Sequence, residues 1–138
     1  MRLWHHDIIE LLPKSQLLAQ WRELNSIFAK EDRHILINYI YDYPKEHLYT
    51  YTQLVVNEMK NRGFTIRTFD KMNRYFEGVD ANKKVEQPFA EHHNDEYFEI
   101  CYFNLKEKYL RGQKDFDKSR FHTLVERYKS VQATKDML

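Results

Sequence analysis

The sequence predicts an all-α fold, and three observations carry that expectation. Apolar residues recur at helical spacing in separate stretches. Breakers are scarce, with only three Gly and three Pro in 138 residues. Capping signals also flank the periodic runs. At this length one domain with one core is expected over residues 1–138, so a single site is sought.

The segment from Ser15 to Lys30 places Leu17, Trp21, Leu24 and Phe28 on one helical stripe. After a less periodic stretch, Pro44 suits a first helical turn. Leu48, Tyr51, Val55 and Met59 then recur at helical spacing until Gly63 stops the run. The stretch from Phe64 to Phe89 reads mostly as loop, with a short helix around Phe69, Met72 and Phe76. Asn94 is a candidate N-cap, with Asp95 and Glu96 in the first turn. Phe98, Cys101, Tyr102, Leu105 and Tyr109 follow on one face up to Gly112. A last pattern starts near Asp117 with Phe121, Leu124, Val125 and Tyr128 inward, before a polar tail expected to fray. The expected architecture is three main helices with additional short helices and long loops.

The formal net charge is +1, so no global positive field marks the chain for nucleic acid. Still, 22 basic residues against 21 acidic ones leave room for a local basic face. The single Cys101 cannot form an intramolecular disulfide, and residues 1–10 lack an apolar signal core, which points to a reducing, cytoplasmic setting. No apolar run approaches the roughly 20 residues of a membrane span. A monomer with no membrane association is expected.

The opening Met1-Arg2-Leu3-Trp4 and the string Leu17-Leu18-Ala19-Gln20-Trp21-Arg22-Glu23-Leu24 resemble the pyrimidine-dimer DNA glycosylase family, comprising the phage endonuclease V and small bacterial relatives. Later strings agree in order and spacing: Glu58 to Phe64 with its Arg-Gly-aromatic stop, and Asn104 to Lys108. Leu48 to Tyr51 and Glu91 to Tyr97 are similar to the bacterial members. Together these pieces span roughly residues 1–112.

The resemblance implies that the N-terminal amine of Met1 attacks the sugar C1′ of a damaged nucleotide. The base is then expelled, a Schiff base forms and the strand is cut by β-elimination, with Glu23 as the matching carboxylate and no metal or organic cofactor. It also implies that the N-terminal segment threads between helices to bring Met1 to Glu23. Such chemistry needs a neutral amine, and an α-amine with pKa ~8 is far more available at neutral pH than a Lys at ~10.4. Met aminopeptidases trim Met before small residues; Arg2 is large, so Met1 is expected to stay. The resemblance further implies that Arg2 and Arg22 bind phosphates near the lesion, with Lys108 matching a basic position of the family's third helix, and that the partner is double-stranded DNA carrying a damaged base or abasic site. The chain departs from the phage pattern at Gln16, Ser26 and Asn104, and from the bacterial one at Trp21 and Thr52. These departures bear on lesion specificity more than on amine chemistry.

Other readings follow from the same residues. His5-His6-Asp7 and His92-His93 offer metal-ligand types without established ligand spacing, and structural or DNA-contact roles are preferred. His34 reads as a surface residue and Cys101 as a buried core thiol. Near-neutral charge also fits a non-catalytic helical module for nucleic acid or protein. A lyase for abasic sites or a glycosylase for another lesion is a third reading.

Overall fold

The computed structural model of the protein describes residues 1–137, which are all-helical without strands. The helices are α1 (Lys14–Lys30), α2 (Lys45–Asn61), α3 (Asp70–Tyr75), α4 (Asp95–Leu110) and α5 (Lys118–Asp136), with 3-10 turns at Ile9–Leu11 and Asn38–Asp42. Helix α1 buries Leu17, Leu24 and Phe28 of the expected stripe together with Gln20 and Ile27, while Trp21 is half-buried; α2 buries Leu48, Tyr51, Val55 and Met59, as their periodicity predicts. The expected cap at Asn94 is present, its side-chain oxygen accepting the Tyr97 N–H at 3.0 Å.

Two glycines end helices by the same device. Gly63 has φ +78° and Gly112 has φ +85°. After α2, Phe64 N–H bonds to the Met59 carbonyl and Gly63 N–H to that of Lys60; after α4, Gln113 bonds to Lys108 and Gly112 to Tyr109. This is the Schellman pairing, which needs a left-handed residue just past the cap and therefore favours glycine.

Helix α1 packs on α2 and α3, while α4 packs on α5. The first twelve residues lie where these two sets meet. Leu3, Ile8 and Leu12 are fully buried there, and the 3-10 turn touches both α2 and α5. Arg62 secures the turn from α2, pairing with Glu58 at 2.7 Å and donating to the Glu10 carbonyl at 3.0 Å. From α5, Arg127 donates to the Asp7 carbonyl at 2.7 Å and pairs with Glu10.

The C-terminal segment corrects one expectation. The tail does not fray after Tyr128; α5 continues to Asp136 and is the longest helix among the described residues. Its polar surface hides the anchors. Tyr128 stacks on Tyr102 at 4.0 Å, Phe121 stacks on Tyr109 at 3.8 Å, Val131 packs against the core, and Lys135 pairs with Glu99 at 3.3 Å.

A histidine cluster fastens the N-terminal segment to the start of α4. His93 Nδ1 accepts from the His6 N–H at 3.2 Å, and His93 Nε2 lies 2.6 Å from the Tyr39 hydroxyl. His5 and His93 are only 4% exposed. Burial, reinforced by neighbouring imidazoles, lowers the His5 pKa from 6.5 to about 4 and that of His93 to about 2. Well above pH 6.5 both rings are neutral whether the chain is folded or not. Below it the unfolded chain takes up protons that the folded one refuses, so stability is lost as pH falls from about 6.5 toward 4. Each histidine contributes a slope approaching ~1.4 kcal/mol per pH unit. Urea unfolding between pH 7 and 4.5 is expected to show that decline, reduced in His93→Gln; a flat profile would contradict the buried neutral pair.

Candidate active site

The N-terminal segment is held by one buried amide. Gln20, on α1 and 1% exposed, accepts the Trp4 N–H at its Oε1 (2.9 Å), while its Nε2 donates to the Arg2 carbonyl (3.1 Å) and to Glu23 Oε2 (3.1 Å). The Tyr51 hydroxyl, from α2, reaches both Gln20 Oε1 (2.9 Å) and the Trp4 carbonyl (2.6 Å). Both amide hydrogens of Gln20 and its Oε1 thus have partners, the single Tyr51 proton being shared between Oε1 and the Trp4 carbonyl, which fixes the orientation of the amide. From α4, Tyr97 donates to the Leu3 carbonyl. Three helices therefore grip residues 2–4.

The consequence is a cleft of about 300 Å³ lined by Met1, Arg2, Trp4, Gln16, Glu23, Leu36, Asn104 and Lys108. Four of the five site residues expected from sequence share it: Met1, Arg2, Glu23 and Lys108. Met1 is 41% exposed at its mouth. Arg22 does not line it; that side chain is exposed on the neighbouring face of α1. Gln16 and Asn104, two positions where the chain departs from the phage pattern, also line the cleft.

Glu23 feels two opposed influences. Burial raises its pKa above the usual 4.5, while the positive N-terminus, Arg22 and the Arg2 peptide N–H pull it down, with burial prevailing. The amine is thus near enough to act on the carboxylate electrostatically. The Arg2 guanidinium lies 5.9 Å from the Trp4 ring and 5.8 Å from the Tyr97 ring, at cation–π range. Chemically, the cleft combines a primary amine, a partly desolvated carboxyl that can exchange protons, and two cations suited to phosphate.

Residues singled out for other reasons are also placed. His5, His6 and Asp7 bring possible ligand atoms within 4.8 Å of one another, so these three residues could hold a metal ion. However, His6 Nδ1 is 2.9 Å from Asp7 Oδ1 and His5 Nδ1 accepts the Asp7 N–H at 3.1 Å, so these nitrogens already have internal partners. His34 is exposed and Cys101 is buried, as expected. Trp21 packs edge-on against Phe28 and Phe69, which joins α1 to the start of α3. Thr52 is fully buried with its hydroxyl unpartnered.

Sequence reasoning missed Gln20, Tyr51 and Tyr97 as site-forming residues. The spacing of Gln20 three residues before Glu23 was available as a signal, since such positions neighbour each other on a helix. Replacing Gln20 by Leu would keep the volume but orphan the Arg2 carbonyl and the Trp4 N–H, at a cost of about 2–4 kcal/mol. Urea unfolding is expected to register that loss, and hydrogen exchange to show faster opening at the Trp4 amide. Wild-type protection at Trp4 in the variant would contradict this account of the anchor.

A family model described as pyrimidine dimer DNA glycosylase matches residues 1–72, just over half of the 138-residue chain. No curated protein and no solved structure matches the chain. The matched region contains Met1, Arg2, Gln20, Glu23 and Tyr51, while Tyr97, Asn104 and Lys108 complete the cleft from α4. By that match over its N-terminal half, the chain belongs to the pyrimidine dimer DNA glycosylase family.

Proposed function

We propose that the protein is a DNA glycosylase with abasic-site lyase activity that acts on pyrimidine dimers through the Met1 amine. The observation that carries this reading is the convergence of Met1, Glu23, Arg2 and Lys108 on one cleft. A nucleotide displaced from the duplex presents C1′ to the cleft mouth. The amine lone pair forms a bond to C1′ as the glycosidic bond breaks, and its electron pair leaves with the base. Loss of the amine proton and opening of the sugar ring give an iminium joined to Met1. Removal of a C2′ proton then drives expulsion of the 3′ phosphate, and water hydrolyses the imine to restore the amine.

Glu23 acts at two points. As a carboxylate it stabilises the cationic sugar and iminium; as an acid or base it carries protons during ring opening and elimination. Its raised pKa suits the second task, because a group nearer neutrality both gives and takes protons readily. Arg2 and Lys108 hold phosphates beside the reacting sugar, and Arg22 contacts the backbone outside the cleft.

Borohydride reduction of the untagged protein with abasic-site duplex is expected to trap a covalent adduct. Acetylating the N-terminus should abolish it, and Glu23→Gln should slow trapping by about 100-fold or more with the fold intact. Dimer-containing duplex should give the same adduct. Untagged protein that binds DNA and yields no adduct would instead support the non-catalytic binding module.

A further inference from the structure

A second hollow, about 370 Å³, opens near the far end of α1, between Phe28 and Ala29 on that helix, Lys45 at the start of α2, and Lys71, Arg74 and Tyr75 on α3. Three cations line it and no carboxylate does. Lys71 and Arg74 are three residues apart on α3 and so share a face. Neither forms an ion pair within 4.0 Å among the described residues. Lys45 is held in place, its Nζ donating to the Tyr75 carbonyl at 3.3 Å and lying 4.1 Å from the Tyr75 ring centre. Glu31, a nearby acid, is engaged by the Tyr75 hydroxyl at 2.7 Å.

Other acids gather in a different hollow. The hollow under the N-terminal turn is lined by Asp7, Glu10, Glu58 and Glu86, with Arg127 as its cation. The two hollows thus differ in charge: one is lined by four carboxylates, of which Glu58 and Glu10 are paired with Arg62 and Arg127, and the other by three cations and no carboxylate. Uncompensated cations in a shallow hollow favour a polyanion with repeated phosphates, which gains by releasing its counterions.

Helix α1 links this hollow to the cleft. Arg22 and Ala29 are seven residues apart, so they lie on one stripe about 10.5 Å apart along the axis. Glu23 faces the cleft from the adjoining side. Arg22, exposed and outside the cleft, therefore stands between the two sites. We propose that the Lys45, Lys71 and Arg74 hollow is a second binding site for the DNA phosphate backbone, and that Arg22 continues the track from the cleft to it. The proposal rests on the DNA-acting reading above.

The test is the salt dependence of binding to an undamaged duplex long enough to pass both sites, followed by fluorescence anisotropy. The double variant Lys71→Ala with Arg74→Ala is compared with wild type and with Lys118→Ala plus Lys129→Ala, which removes the same charge from α5. Loss of one or two phosphate contacts is expected to reduce the slope of log affinity against log salt by about 0.9 to 1.8, in the α3 variant alone. Borohydride trapping at saturating protein should stay at the wild-type rate in that variant. An unchanged slope, or an equal reduction in the α5 control, would overturn the proposal. Adduct formation with an unchanged slope removes the second site and leaves the proposed function intact; a reduced slope without any wild-type adduct does the reverse.

Discussion

The Gln20 carboxamide is the contact on which the candidate site depends. A buried amide missing a partner is costly, and here every donor and acceptor is matched only when residues 2–4 lie along α1. The same nitrogen that donates to the Arg2 carbonyl also donates to the Glu23 carboxylate and orients it. Position of the chain terminus and orientation of the acid are therefore set by one side chain. Tyr51 and Tyr97 close the arrangement from α2 and α4, so the cleft exists where three helices and the first residues meet.

Total charge conceals how the surface is organised. The near-balance of 22 basic and 21 acidic residues argues against a nucleic-acid partner when taken as a sum. In three dimensions, Arg2 and Lys108 line the cleft and three cations line the hollow by α3, while acids gather under the N-terminal turn. Electrostatic recognition of phosphate depends on such local fields, screened beyond about 10 Å at ordinary salt.

The helices were legible because burial imposes a period, and Leu17, Leu24, Leu48, Val55 and Leu105 keep it. Met1, Arg2 and Glu23 were legible as a set only through resemblance, since neither period nor composition joins a terminus to a helix. Lys108 was singled out in the same way and lines the cleft, as do Gln16 and Asn104, where the chain departs from the phage pattern. Gln20 was legible only as a helix neighbour of Glu23, not as the anchor of the N-terminal segment. A glutamine on an amphipathic helix usually faces water, and its partners Arg2, Trp4 and Tyr51 are brought to it by tertiary packing. The end of α5 was hidden for a related reason: Val131 and Lys135 find partners on other elements, which no local pattern reveals.

The threading of the N-terminal segment also says something about the order in which the molecule can be made. Leu3 is held by a residue 94 positions later and Asp7 by one 120 positions later. Loops of that length carry an entropy cost before their contacts form, and such distant pairings are completed late in assembly. The earliest residues of the sequence are thus fastened by residues near its end. A chain cut short before α4 retains Gln20 and Glu23 yet lacks the Tyr97 clasp and the Asn104 and Lys108 wall of the cleft. The shared cleft of Met1 and Glu23 is thus a property of the finished topology, which no shorter piece of the chain reproduces in full.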